Sequence, residues 1–321
     1  MAKSKAYGSW VELLRSKAEE QPCASAYTFL TDGEKNEVHL TYEELDRKAR
    51  VIGATLQGLG EAGRPVLLMY PSGLEYVAAF FGCLYAGAIA VPSYPPRPNR
   101  SLRRVQTIAH DAHPRVALTS QSTLTMVSGH VERTPGLDNI RWVSTDTIET
   151  NQAEHWVAPV CDHDTLALLQ YTSGSTGTPK GVMVSHGNLL HNSKMIQVAL
   201  AHTQESTHVG WLPLFHDMGL IGIMLQSAYV GAHCILMSPE NFLLKPFRWL
   251  SAISTYKAHT SGAPDFAFEL CSRKTTAEQR ETLDLSSWTT AFNGSERVRN
   301  DTLESFAQTF AHCGFHRTSF Y

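Results

Sequence analysis

The stretch Tyr171-Thr172-Ser173-Gly174-Ser175-Thr176-Gly177-Thr178-Pro179-Lys180-Gly181 decides how this chain is read. Its eleven residues hold three glycines, five Ser/Thr hydroxyls and one lysine, with no acid and no large apolar residue after Tyr171. Glycines let backbone N–H groups turn toward a ligand, hydroxyls add hydrogen bonds, and a lysine supplies a point charge. That composition suits a cradle for phosphate oxygens. The apolar runs Leu166–Tyr171 and Val182–Ser185 on either side predict two buried strands joined by a loop. A flexible Gly/Ser/Thr linker is the alternative, but linkers rarely lie between two strand-like runs or end in Pro-Lys-Gly. A Walker A loop is excluded, because it needs Gly-Lys followed by Ser or Thr, whereas Lys180 sits between Pro179 and Gly181.

Working outward, strand-like and helix-like runs alternate on both sides of the loop. Downstream come a helix over about 187–202, strands at His208–Trp211 and His233–Met237, and an apolar helix reaching Tyr229. Upstream, Pro65–Tyr70, the breaker Pro71-Ser-Gly73 and the apolar run to Pro92 predict strand, turn, helix and strand. They do not predict one membrane span, although the apolar run is about the length a bilayer needs. Near the start, Ser9–Glu20 predicts an amphipathic helix burying Trp10, Leu13, Leu14 and Ala18. Ala26–Leu30 and Val38–Leu40 flank the turn Thr31–Asn36 as a hairpin. Thr41-Tyr-Glu-Glu44 then forms a capping box for the next helix.

The prolines of Ser93–Asn99 predict an extended surface connection, and Gln121–Cys161 shows only a short strand near Arg141–Val143 among polar loops. The fold class is α/β, with sheets covered by helices, and the expected division is 1–160 and 161–321, the loop lying in the second part. The terminal run Arg317–Tyr321 predicts a buried strand with no element to return over it, the mark of a fragment.

A formal net charge of −3 and the absence of a basic run point to a small-molecule ligand and away from nucleic acid. The six cysteines are far apart with no Cys-x-x-Cys pair, and the fifteen histidines show no His-Glu-x-x-His spacing. A disulfide framework and a structural zinc site are therefore not expected. The polar N-terminus lacks the apolar core of a signal peptide, so the expected location is cytoplasmic.

Thr172-Ser-Gly-Ser-Thr-Gly-Thr-Pro-Lys-Gly181 resembles the phosphate loop of adenylate-forming enzymes, the superfamily of acyl-CoA synthetases, luciferases and peptide-synthetase adenylation domains. Trp211–Gly219, Thr260–Asp265 and Phe292–Glu296 resemble further segments of that superfamily, at the carboxylate end of the acyl pocket, beneath that pocket, and against the adenine. Phe80–Gly87, Val91–Arg97, Phe215–Gly222 and Leu283–Trp288 are most similar to the fatty acyl-AMP ligases. Asn293-Gly-Ser-Glu-Arg297 departs from that branch, which commonly ends this turn in proline.

The resemblance implies ATP-dependent activation of a fatty acid to acyl-AMP with release of pyrophosphate, then transfer to an acyl carrier protein or a carrier domain of a polyketide or peptide synthase. It implies ATP and Mg²⁺ as cofactors. Phosphates would lie on Thr172, Ser173, Gly174, Ser175, Thr176, Gly177 and Lys180, with Thr172 near the metal. Adenine would lie on Asn293, Gly294, Ser295 and Glu296, and the acyl chain on His216, Met218, Leu220 and Ile221. Lys180, His216 and Thr172 would carry the catalysis.

A fatty carboxylate is itself a nucleophile, so no serine or cysteine nucleophile is needed. Two of these assignments have plain structural alternatives: His216 as a histidine at a helix N-terminus, and Met218, Leu220 and Ile221 as an ordinary core helix. A Tyr-Gly-x-x-Glu segment, whose glutamate completes the Mg²⁺ site, would begin just past Tyr321. The chain would then be the N-terminal part of a longer enzyme, inactive by itself. Rival functions are a fatty acyl-CoA synthetase, a non-catalytic nucleotide or acyl binder, and a serine amidohydrolase using Ser173 or Ser175 with Lys180. The last lacks the Gly-x-Ser-x-Gly elbow.

Overall fold

The computed structural model describes residues 6–94, 102–172 and 179–321. Its strands are β1 (Ser25–Leu30), β2 (Glu37–Thr41), β3 (Pro65–Met69), β4 (Ile89–Ser93), β5 (Val116–Thr119), β6 (Arg141–Ser144), β7 (Leu166–Thr172), β8 (Lys180–Ser185), β9 (His208–Gly210), β10 (Cys234–Met237), β11 (Thr260–Ala263) and β12 (Thr290–Asn293). They form two six-stranded sheets, ordered β6-β5-β3-β4-β7-β8 and β12-β11-β9-β10-β1-β2. Intervening helices make the parallel crossovers, as an α/β chain requires.

The chain divides into two compact units, Met1–Cys23 with Thr41–Lys194, and Ala24–Leu40 with Met195–Tyr321. This differs from the expected division at 160/161, and strand pairing is the reason. β7 runs parallel to β4 and antiparallel to β8, so the strands flanking the loop complete the first sheet. β1 pairs parallel with β10, which draws the early hairpin into the second sheet.

In the first unit local signals act as read. Ser9 caps the helix Trp10–Glu20, whose buried side includes Trp10, Leu13 and Leu14. Thr41 Oγ1 accepts the Glu44 N–H at 3.2 Å while the Glu44 carboxylate accepts the Thr41 N–H at 2.9 Å, a complete capping box on the helix Tyr42–Gly58. The apolar stretch after Gly73 resolves into the helix Leu74–Tyr85 and strand β4. Among the described residues no helix is long and apolar enough to cross a membrane. The proline-rich connection expected over Ser93–Asn99 falls largely outside the described residues.

Two expectations are corrected here. Gln121–Val131 is a helix burying Val127 and Val131, started by Ser120, whose hydroxyl accepts the Thr123 N–H at 3.3 Å. Its richness in Ser, Thr and Gly hides it from propensity. Strand β8 is not buried: it is the sheet edge, with Val182 49% and Met183 68% exposed.

The second unit is built around an aromatic core in which Trp249, Phe268, Trp288 and Phe306 are completely or almost completely buried. Trp249 Nε1 donates to Ser261 Oγ at 2.8 Å, and Ser261 Oγ donates to the Val209 carbonyl at 2.6 Å, tying β11 to β9. Gly262 is required where β11 passes β12, because a Cβ there would lie 2.2 Å from the Phe292 ring. The expected strand Arg317–Tyr321 is instead a 3-10 turn at Arg317–Ser319 followed by an isolated bridge from Phe320 to Ala291. Only the last two residues of that run come alongside β12, so no ladder forms.

Candidate functional site

In the first unit, β7 and β8 bring Thr172 and Lys180 directly opposite one another, so these two residues close the base of the Gly/Ser/Thr loop. Ser173, Gly174, Ser175, Thr176 and Gly177 lie outside the described residues. Thr172 and Lys180 are both exposed, and among the described residues the Lys180 ammonium has no carboxylate partner. One pair further along, Tyr171 faces Gly181, and a Cβ at Gly181 would lie 2.9 Å from the tyrosine ring. That close approach explains the last glycine of the stretch: it makes room for Tyr171, whose hydroxyl donates to Asp111. Burial, reinforced by the Asp111 carboxylate, raises the Tyr171 pKa well above the ordinary phenol value, so the ring stays neutral as an anchor. Beyond β8, the buried His186 opens the helix His186–Ala199 and accepts the Trp10 N–H on Nδ1 at 3.2 Å. Burial pushes its pKa down to about 4, which keeps that nitrogen an acceptor at neutral pH.

In the second unit the remaining candidates gather beyond the carboxyl ends of β9, β11 and β12, where open α/β sheets bind ligands. Trp211, Leu212 and Leu214 are buried and anchor the segment leading to His216. Gly219 allows the segment to fold back on itself, since a Cβ there would lie 2.5 Å from the Pro213 carbonyl. His216 is half exposed at the start of the short helix Asp217–Gly219, so its structural alternative is realised in part: Nδ1 lies 3.3 Å from the Met218 N–H. Nδ1 thus accepts the Met218 N–H, which also donates to Asp217 Oδ1 at 2.7 Å, and a neutral ring with Nδ1 as acceptor carries its proton on Nε2. Nε2 is then the nitrogen left for a ligand. The chain continues as a π-helical stretch, Leu220–Leu225, a widened form frequent at functional sites.

The structure brings some of the expected adenine and acyl residues together. The Ser295 hydroxyl donates to Met218 Sδ at 3.1 Å, and a Cβ on Gly294 would lie 3.9 Å from Met218 Cε. Ser295 adopts a positive φ of 69°, an uncommon conformation for a residue with a side chain, in an exposed turn. Ile221 is half-buried, whereas Leu220 is completely buried and offers no accessible surface to an acyl chain. Asn293 donates its amide to Asp265 at 3.1 Å, and the Glu296 carboxylate accepts the Phe266 N–H at 2.8 Å. Both side chains thus support the turn from within. Among the described residues no group of three or more His, Cys, Asp or Glu could hold a metal ion.

Asp265 and Trp211 lay within segments singled out in the sequence but had no role assigned, and Phe266 was missed; the Trp211 and Phe266 ring centroids are 6.2 Å apart with Phe266 partly exposed. An acid just after proline at a helix start reads as ordinary first-turn electrostatics, and only the tertiary partners of Asp265 mark it out.

Two mostly parallel sheets, with Thr172 and Lys180 paired at the end of one and a polar turn beyond the strand ends of the other, define an α/β protein. The chain matches the AMP-binding enzyme family over residues 14–318 and belongs to it. It is 45% identical over 319 residues to the medium-chain-fatty-acid–[acyl-carrier-protein] ligase JamA of Moorena producens, covering 98% of this chain and 54% of that protein. It is 35% identical over 345 residues to the ligase of the same description, TtuA, of Teredinibacter turnerae, covering 95% and 53%. Among solved structures, the fatty acyl-adenylate ligase from L. pneumophila in complex with acyl adenylate and pyrophosphate has a TM-score of 0.91 and 42% identity, covering 97% of this chain and 54% of that one. The chain spans about half the length of the curated relatives it matches.

Proposed function

We propose that this protein activates a fatty acid with ATP, forming acyl-AMP and pyrophosphate, and passes the acyl group to the phosphopantetheine thiol of a carrier protein. The observation that carries this reading is the likeness to the L. pneumophila ligase, solved with acyl adenylate and pyrophosphate. The names of JamA and TtuA support a carrier protein as acceptor.

In the first step a carboxylate oxygen of the fatty acid attacks the α-phosphorus of ATP. The new O–P bond forms as the bond to the β-phosphate breaks and pyrophosphate leaves. The chain's task is to orient the phosphates and offset negative charge on the leaving group. Lys180, exposed and opposite Thr172, would offset that charge, a role its lack of a carboxylate partner among the described residues supports. His216, its Nδ1 occupied by the Met218 N–H, has an Nε2–H to donate to the fatty carboxylate. Met218 and Ile221 offer apolar surface, and the turn 293–297 takes the adenine. Mg²⁺ would neutralise part of the triphosphate charge, and the Thr172 hydroxyl fits it as an oxygen donor beside ligands from phosphate and water. In the second step the thiol sulfur attacks the acyl carbon, the C–S bond forms, and AMP departs.

Incubating the full-length protein with ATP, a fatty acid and either CoA or a phosphopantetheinylated carrier protein tests the reading. Pyrophosphate release and loading of the carrier are expected. Rapid acyl-CoA formation would move the protein to the acyl-CoA synthetases. Binding of ATP and fatty acid without pyrophosphate release would make it a binder only.

A further inference from the structure

The turn from Gly294 to Val298 is exposed over most of its length, contains no proline, and passes through the positive φ of Ser295. Nothing in such a sequence fixes one conformation, yet both ends of the turn finish on the same carboxylate. At the β12 end, Asn293 Nδ2 donates to Asp265 Oδ1 at 3.1 Å. At the far end, the Arg299 N–H donates to the same oxygen at 3.0 Å, and the Thr302 hydroxyl donates to Oδ2 at 2.9 Å. Arg299 is the N-cap of the helix Asn300–Phe310, so Asp265 caps that helix from a different element. The Arg299 guanidinium adds an ion pair, Nε to Oδ2 at 3.6 Å. The next residue completes the clamp, as the Phe266 N–H donates to Glu296 in the middle of the turn at 2.8 Å.

Asp265 is completely buried, and a buried carboxylate persists only where its oxygens are satisfied. Here the satisfying donors are the two ends of the turn, so the turn cannot relax without leaving a buried charge short of partners. We infer that Asp265 is the positioning residue of the nucleotide-contacting turn, holding residues 294–298 in the conformation that meets the adenine. This rests on the adenylation reading above, and it adds a residue that touches no ligand itself.

The arrangement distinguishes two substitutions. In Asp265→Asn one oxygen still accepts from Asn293 and Arg299, and the new amide can donate to the Thr302 hydroxyl, so the brace survives without its charge. In Asp265→Ala the three hydrogen bonds and the ion pair are lost together. The test is steady-state ATP–pyrophosphate exchange on the purified full-length protein with a saturating fatty acid, run beside thermal unfolding. For Asp265→Ala the KM for ATP is expected to rise about tenfold, with kcat falling less, while Asp265→Asn stays within about threefold of wild type on both. Should Asp265→Ala yield no folded protein, Thr302→Val decides, with an expected rise in KM for ATP of about threefold. An unchanged KM for ATP in the deciding variant, whatever its unfolding temperature, overturns the inference. A wild-type full-length protein that shows no exchange at all overturns the adenylation reading instead, so the two failures are distinguishable.

Discussion

At the base of the Gly/Ser/Thr loop, Lys180 stands on a strand with a neighbour on one side only, whereas the turn after β12 ends on a carboxylate with no exposure at all. Both regions present polar groups for the proposed reaction, but they are held by different forces. β8 is secured by the ladder to β7, by the fit of the Tyr171 ring over Gly181, and by the buried His186 that opens the following helix. Its own side chains add little burial. The turn is secured by tertiary structure throughout: Asp265 beneath it, Phe292 packed over Gly262, and an aromatic core behind. Phosphates are bound by backbone N–H groups and point charges, which need only a loop and a firm base. A flat base and an acyl chain need shaped surfaces, which only packing supplies.

The largest expected effect lies on the loop side. In the full-length protein, Lys180→Ala should lower the rate of ATP–pyrophosphate exchange on the order of 10²-fold or more, as when one preorganised partner of a developing anion is removed. Lys180 is exposed, and among the described residues it has no carboxylate partner, so the unfolding midpoint should stay where it is. A wild-type exchange rate in this variant would sink the assignment of Lys180. A lowered midpoint would instead show that the lysine also holds the hairpin.

The opposite pattern is expected beneath the turn. Gly262→Ala places a methyl group 2.2 Å from Phe292 Cδ2, with Cε2 and Cγ at 2.3 and 2.4 Å. These two residues are register partners on β11 and β12, so neither can move without disturbing the ladder that carries Asn293. Overpacking of this kind costs about 2 kcal/mol, read as a lower denaturation midpoint. Stability indistinguishable from wild type would mean that the Phe292 ring has room to turn aside, and that this region is looser than its contacts indicate.

The same contrast governs what was legible in the sequence. The loop could be read because its function lies in local composition: glycines, hydroxyls and one lysine at fixed spacing. The Thr41 capping box was legible for the same reason, both hydrogen bonds spanning three residues. Asp265 was not, because its partners lie 28, 34 and 37 residues away and nothing local distinguishes it from any acid at a helix start. The division between units escaped notice because it depends on which strands pair across long separations, β1 with β10 and β4 with β7. The burial of Leu220 was hidden in a further way, since its place in an apolar run beside His216 could not reveal that the π-helical stretch turns it inward. The exposure of β8 was hidden as well: apolar residues predict burial, and an edge strand is where that rule is weakest.

The smallest expected effect tests that exposure. Met183 pairs with Leu169 in the ladder but keeps 68% of its surface open, and its neighbour Val182 keeps 49%. If the ladder alone secures β8, replacing Met183 with threonine removes little buried area and keeps a residue that favours strands. Met183→Thr should then shift stability by no more than about 0.5 kcal/mol, as surface substitutions do. By the same energy scale it should leave the exchange rate within about twofold. Urea denaturation and ATP–pyrophosphate exchange on the same preparation measure both. A loss above about 1 kcal/mol is the size expected when packed methylene groups are removed, and it would mean that something covers β8 in solution. The base of the loop would then be held by packing too, and the contrast with the turn would come down to the buried carboxylate of Asp265 alone.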